Sequence, residues 1–234
     1  MLVTISWSLP GFYTCTIFSF ALQKSTIMQT HNAQQLIQQL RQQTESLLNI
    51  ATQQWQMTSP AIFKQQPAPG AWSAMQCLGH LNTYGDYYLP AIEKAIAGAK
   101  QKAKVASATF KPGWLGNYFT KLMMSNEQGV PAKKMKAPKN YVTSNEGNSD
   151  CTITKFIDQQ EKMLLLLEEA KEVNLNNIRI PISIAKFIQL KPGDVFMFLI
   201  AHNLRHVKQA ERAIAATGQS VTLKNNNGTS FVLA

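Results

Sequence analysis

The stretch "AHNLRHVKQAERA", residues 201–213, places His202 and His206 one helical turn apart on what otherwise reads as the inner stripe of a buried helix. Val195, Phe198 and Leu199 precede them on that stripe, and Gln209 and Ala213 follow. The apolar face therefore begins as ordinary core and turns polar midway. The chain has four histidines in all. A third, His80, falls on a second stripe of the same kind with Cys77, Tyr84, Tyr87 and Ala91. Burying an imidazole without a partner costs about 1–3 kcal/mol, so three on core stripes need something to satisfy them.

A divalent metal ion meets that need. Histidines at i and i+4 aim their rings at one spot, and a third from a facing helix completes a three-nitrogen face. Three neutral ligands leave a coordination position open, which is the catalytic rather than the structural pattern. Imidazole ligation suits Zn, Ni and Fe alike. Plainer readings stand beside this one. An HxxxH pair also occurs on ordinary helices, and His80 by itself reads as a hydrogen-bonded core histidine. Cys77 is either a fourth ligand or, the better match, a small buried apolar residue. His31 belongs to a helix-cap region or to the surface. Tyr84, Tyr87 and Tyr88 read as bundle packing, and Arg205 and Arg212 either flank the site or face solvent. No carboxylate shares the histidine stripes, and Asp86 lies off them. A hydrolase that needs a general base has no evident candidate.

Four amphipathic helices account for most of the chain. The first runs from Asn32 through Leu36, Ile37, Leu40, Leu47, Leu48, Ala51 and Trp55, and a Pro-marked loop follows at Pro60, Pro67 and Pro69. Ser73 with Gln76 forms a capping-box pattern that opens the second helix, which stops near Gly98. The third is "TITKFIDQQEKMLLLLEEAKEV" (152–173), and the fourth starts at Lys191-Pro192-Gly193-Asp194 and runs to Gly218, a candidate C′ glycine. A connection of about fifty residues joins the second to the third, with one short helix candidate, "WLGNYFTKLMM" (114–124). "IRIPISI" (178–184) reads as extended. The expected fold is all-α: a four-helix bundle with a long crossover between helices two and three. Its core spans 28–218, with a loosely ordered tail at 219–234.

The formal charge is +10, which raises nucleic acid as a partner. Nine lysines against Glu127 concentrate much of it between residues 100 and 139, a stretch with no arginine. That pattern favours a solvated crossover over a phosphate-reading surface, and neither nucleic acid nor membrane is expected as a partner. Three cysteines (Cys15, Cys77, Cys151) give no metal-knuckle spacing and no paired framework, which fits a reducing compartment such as the cytoplasm. Residues 1–27 are uncharged up to Gln23 and lack a basic n-region. An over-read start before Met28 is the preferred account, ahead of an export signal or a membrane-touching extension; in that account residues 1–27 lie outside the fold.

Two segments together resemble the DinB-like family, the bacillithiol S-transferase and YfiT-like bundle metalloproteins. "WSAMQCLGHL" (72–81) resembles its second-helix signature and "HNLRHVKQ" (202–209) its fourth-helix H-x-x-x-H-x-x-Q. Gln76 stands where an acid is frequent, and the crossover is longer and more basic than the family pattern. The resemblance spans Met28 to Gly218 and implies a metal triad of His80, His202 and His206. It also implies a metal-dependent thiol S-transferase in stress or detoxification chemistry, using a low-molecular-weight thiol and a small electrophile. A non-catalytic metal- or ligand-binding stress protein is the alternative, and a metal-dependent hydrolase ranks third. Exposed bundle faces leave room for a homodimer.

Overall fold

The computed structural model describes residues 29–102, 106–124 and 136–218, and the backbone of 222–224 and 230–232. The extension 1–27 and the start at Met28 lie outside the described residues. The four bundle helices are α1 (Ala33–Gln53), α3 (Ala74–Gln101), α5 (Ser149–Ala170) and α6 (Pro192–Ala215). Between α1 and α3 lies a short helix, α2 (Pro60–Lys64), where the prolines predicted only a loop. A 3-10 turn at Trp55–Met57 takes Trp55 out of α1. Pro60 sits at the start of α2, where its missing N–H costs nothing.

Local chemistry sets the helix ends. The Asn32 side chain accepts from the Gln35 N–H, and Asn148 accepts from Asp150 and Cys151. Ser73 and Gln76 form the expected reciprocal box, with Ser73 Oγ accepting from Gln76 N and Gln76 Oε1 from Ser73 N. After α6 the backbone turns at Gly218, whose φ of +82° favours a residue without Cβ.

In the bundle α1 and α3 each pack against both α5 and α6, so the helices run α1, α5, α3, α6 around the core. One apolar cluster joins the start of α1 (Leu36, Ile37, Leu40), the end of α3 (Ile92, Ile96), the end of α5 (Leu166, Leu167) and the start of α6 (Val195, Phe196). A second joins Leu47 and Ala51 to Cys77, Leu78, Phe156, Val207 and Ala210. From this pairing of ends, α3 runs parallel to its neighbour α5 and antiparallel to its neighbour α6. Two parallel neighbours cannot be joined by a tight turn, so the connection must travel the length of the bundle. Each fully buried Leu, Ile or Phe contributes about 1.5–3 kcal/mol of transfer free energy. Between the clusters lies a polar layer that includes His80, Asn82, Gln160, His202 and Asn203, all buried.

The crossover is structured where it is described. Thr109–Phe110 (β2) pairs antiparallel with His31–Asn32 (β1), which places His31 half-buried beside the Asn32 cap. Next comes α4 (Trp114–Met123), the expected short helix, packed on α6. The Gly113 N–H, at the N-cap of α4, donates to the Asp194 carboxylate at 3.0 Å. Gly116 is obligatory at this approach, because a Cβ there would lie 2.3 Å from Asp194 Cβ. The returning chain is tied to the end of α2 and the start of α3: Asn145 Nδ2 donates to Lys64 O, Thr143 Oγ1 to Gln76 O, and the Ser73 hydroxyl to Asn145 Oδ1.

A hairpin of Ile180–Ile182 (β3) and Ala185–Leu190 (β4) realises the extended "IRIPISI" segment and precedes α6. In the tail, read from sequence as loosely ordered, the described residues Thr222–Lys224 (β5) and Ser230–Val232 (β6) pair antiparallel. The fold is all-α with these small ribbons added. Among the described residues no helix is long and apolar enough to cross a membrane.

Candidate metal centre

α3 contributes His80 and α6 contributes His202 and His206, and the structure brings all three together. Their ring centroids lie 5.0 Å apart for His80–His202, and 4.7 Å apart for both His80–His206 and His202–His206. One ligand nitrogen from each falls within 4.8 Å of the others. His80 and His202 are 2% and 3% exposed, and His206 is partly exposed where it meets a cavity. Among the described residues this is the cluster of metal-ligating side chains; Cys77 is not part of it. Cys77 lies in the apolar core, where burial pushes its thiol up to about 12. Of the two roles open to it, the structure assigns the packing one.

The second ring nitrogens fix how the donors face. His80 Nδ1 lies 2.6 Å from Tyr141 O, a carbonyl that only accepts, so Nδ1 carries the proton and Nε2 presents its lone pair. His206 Nδ1 likewise donates to Gln209 Oε1 at 3.0 Å. His80 Nε2 then faces His202 Nε2 at 3.2 Å. Tetrahedral ligands about 2.0–2.1 Å from zinc stand about 3.3 Å from one another, so this pair is spaced for a shared ion. His202 Nδ1 is buried without a hydrogen-bond partner. The donor set, three imidazoles with the lone pairs of His80 and His206 fixed by their outer bonds and the Nε2 atoms of His80 and His202 spaced for one ion, fits a divalent ion.

Electrostatics favours the neutral ligand form. Burial lowers the pKa of His80, partly offset by its bond to Tyr141 O. Burial, then the neighbouring His206, His80 and Arg205, holds His202 well below its usual range. His206 falls to about 3, chiefly by burial, with the charges of His80 and Arg205 adding and the Gln209 bond opposing. Three neutral imidazoles are what a metal requires.

Aromatic rings enclose the triad. Trp72 packs on His80 and His206, Phe198 stacks on His202, and Tyr84 contacts both His80 and His202. A cavity of about 900 Å³ opens from Trp72, Tyr84 and the three histidines, lined also by Met123, Lys136, Val142, Arg205, Gln209 and Arg212. Both arginines therefore flank the site. Tyr84, expected as bundle packing, also lines the cavity, whereas Tyr87 and Tyr88 do not. Asp86 stays off the site and pairs with Lys155 at 2.7 Å.

Sequence reasoning missed the Tyr141 carbonyl, the Trp72 wall and the Arg205 contact to Leu122 O. Trp72 sits in the quoted motif and was within reach. The other two depend on where the crossover returns, which no spacing encodes.

A family model described as the DinB superfamily matches residues 35–210. No curated protein and no solved structure matches the chain.

Proposed function

The chain belongs to the DinB superfamily, and from that premise we propose that it is a metal-dependent thiol S-transferase acting in stress or detoxification chemistry. The observation that carries the reading is the convergence of His80, His202 and His206 in the wall of a cavity. A bound divalent ion of the Zn, Ni or Fe class would supply the Lewis acidity that keeps a thiol ionised at neutral pH.

The chain's own residues supply the rest. His80, His202 and His206 would hold the ion, while Tyr141 O and Gln209 Oε1 fix the rings of His80 and His206. Trp72, Phe198 and Tyr84 exclude water from the buried side of the triad. In the transfer the S–H proton leaves to solvent and a sulfur lone pair forms the S–C bond. The electrophile's leaving group departs with the electrons of the bond that breaks.

Among the described residues no Asp or Glu lines the cavity, which favours this reaction over hydrolysis with a carboxylate base. A thiolate nucleophile needs no such base. The same cavity in a protein without turnover would serve a metal- or ligand-binding stress protein. Thiol-dependent consumption of monochlorobimane by the metal-loaded protein separates the two. The transferase consumes it, and both His80→Ala and His206→Ala abolish consumption together with about one equivalent of bound metal. A protein that keeps its metal and consumes nothing is the binder.

A further inference from the structure

Along the seam between α3 and α5 the charges pair at a spacing of seven residues. Asp86 meets Lys155 at 2.7 Å, Glu93 meets Lys162, and Lys100 meets Glu169 and Glu172 at 3.4 and 3.0 Å. Positions 86, 93 and 100 thus face 155, 162 and 169, a register that two parallel helices keep. Two charged residues near the end of α3 fall outside this row. Lys94 and, at the C-cap, Lys102 are exposed. Among the described residues no carboxylate stands within ion-pair distance of either. Ala103, Lys104 and Val105, next in the sequence, carry no acid.

Both lysines line a groove of about 480 Å³ between α3 and the segment that leads into β3. Small residues make its α3 side: Ala91, Ala95, Gly98 and Ala99. A Cβ built on Gly98 meets no atom within 4 Å. The other side brings Asn177, Ile178 and Arg179. Arg179 is pinned through Nη1, which donates to Asn176 O and Ile178 O at 2.7 and 2.8 Å, and its Nε and Nη2 edge is left for a ligand. The carboxylate that its charge reaches, Asp194, is 1% exposed, accepts the Gly113 N–H and does not line the groove. Among the described residues the groove therefore carries three cations and no acid. A cleft lined by charge of one sign focuses the field and draws in the opposite charge.

We propose that this groove is a second ligand site, for an elongated small molecule with at least two phosphate or carboxylate groups, held by Lys94, Lys102 and Arg179. The two lysines stand eight residues apart on α3, about 12 Å along the helix, which suits anionic groups set apart on one ligand. A guanidinium edge takes phosphate or carboxylate through paired N–H donors, and the lysines add mobile contacts. Ala91, Ala95 and Ile178 leave an apolar floor for the body of the ligand. The site does not rest on the function proposed above. It shares no lining residue with the histidine cavity, and Lys94 lies fourteen residues beyond His80 on α3, about 21 Å along the helix.

The test titrates the full chain, freed of metal so that the anions cannot act as chelators, with tripolyphosphate, citrate and neutral glycerol by calorimetry. At least one anion binds and glycerol does not, and added salt weakens the binding. Tripolyphosphate alone assigns phosphates, and citrate alone assigns carboxylates. Lys94→Gln and Lys102→Gln each weaken the anion by about tenfold. Both side chains are exposed, so neither replacement endangers folding. Gly98→Leu leaves every charge in place but fills the floor, and it weakens binding by at least as much. Open space around Gly98 lets the helix accept that change. Lys121→Gln, exposed on α4, lowers the net charge equally and leaves the affinity unchanged. No anion binding, equal binding of glycerol, or undiminished affinity in Lys94→Gln and Lys102→Gln overturns the proposal. So does a Gly98→Leu protein that binds as the parent does, because the anion would then be held by net charge and not by the groove.

Discussion

The three imidazoles differ in what holds the nitrogen that faces away from the centre. His80 is held by a backbone carbonyl, His206 by the Gln209 amide, and His202 Nδ1 by nothing. Gln209 is thus the one side-chain anchor that can be removed without touching a ligand. Gln209→Leu should weaken metal binding by about 10–100-fold, read by competition with a chromophoric chelator. The same environment gives the metal-free protein a defined response to acid. His80, His202 and His206 each have a folded pKa below the unfolded value near 6.5. Below pH 6.5 the unfolded chain therefore binds protons that the native chain does not. Stability is full above that value and falls as the pH drops toward about 3, the folded value of His206. Thermal unfolding followed from pH 7.5 to 4.5 should show a falling midpoint, with a shallower slope in His206→Gln. At this scale the ligands were legible, because i,i+4 spacing and stripe membership are written in side-chain identity. The anchors were only half legible. Gln209 shares the stripe, but Tyr141 acts through its backbone, which carries no residue signature.

Among the elements, α4 packs on α6 and is tied to it by polar contacts near both ends, Gly113 N–H to Asp194 and Arg205 to Leu122 O. Asp194, 1% exposed on the first turn of α6, takes the Gly113 N–H, and Gly116 leaves just enough room for its side chain. Burial pushes the Asp194 carboxyl from 3.8 up to about 6, against the Gly113 bond and the nearby Lys191. The sign is opposite to that of the histidines. Between those values the native carboxyl holds a proton that the unfolded one has lost, so its ionisation costs stability above pH 6, on the order of 2–3 kcal/mol. Asp194→Asn should therefore be the more stable protein at pH 7 by up to about that amount, with the gain gone at pH 4. Urea unfolding at the two pH values checks it. Gly116→Ala should instead destabilise by about 1–3 kcal/mol through overlap with Asp194, and should also disturb the cavity wall at Met123. The bundle helices and α4 were legible from apolar period and capping residues. α2 was not, because five residues after a proline are too short to show a period. The β1–β2 pair was equally hidden, since two-residue strands depend on partners that only the fold supplies.

For the molecule as a whole, the division into two apolar clusters with a polar layer between them is the organising fact. Beyond the histidines the layer is only partly satisfied: Asn203 Nδ2 donates to Gln160 Oε1 at 3.1 Å and Asn82 Nδ2 to Thr152 O, while Asn82 Oδ1 is buried without a partner. Asn203→Leu would strip Gln160 of its partner and cost about 1–3 kcal/mol, and adding Gln160→Leu should recover part of that loss. A double-mutant cycle by denaturant unfolding measures the coupling.

Chain connectivity gives the triad a further role, that of a reversible cross-link in the polymer sense. His202 and His206 are neighbours in any helical state of their segment, but His80 and His202 are 122 positions apart. An ion gripping both would close a loop spanning about half the polypeptide. Were that link permanent, as a disulfide is, the lost freedom of the denatured chain would amount to about 5 kcal/mol. His80→Ala removes the one distant ligand, and with it both the bound ion and the link. In that variant added metal should barely move the melting temperature, whereas in the parent chain saturation at a hundred times the dissociation constant should add about 2.7 kcal/mol of stability.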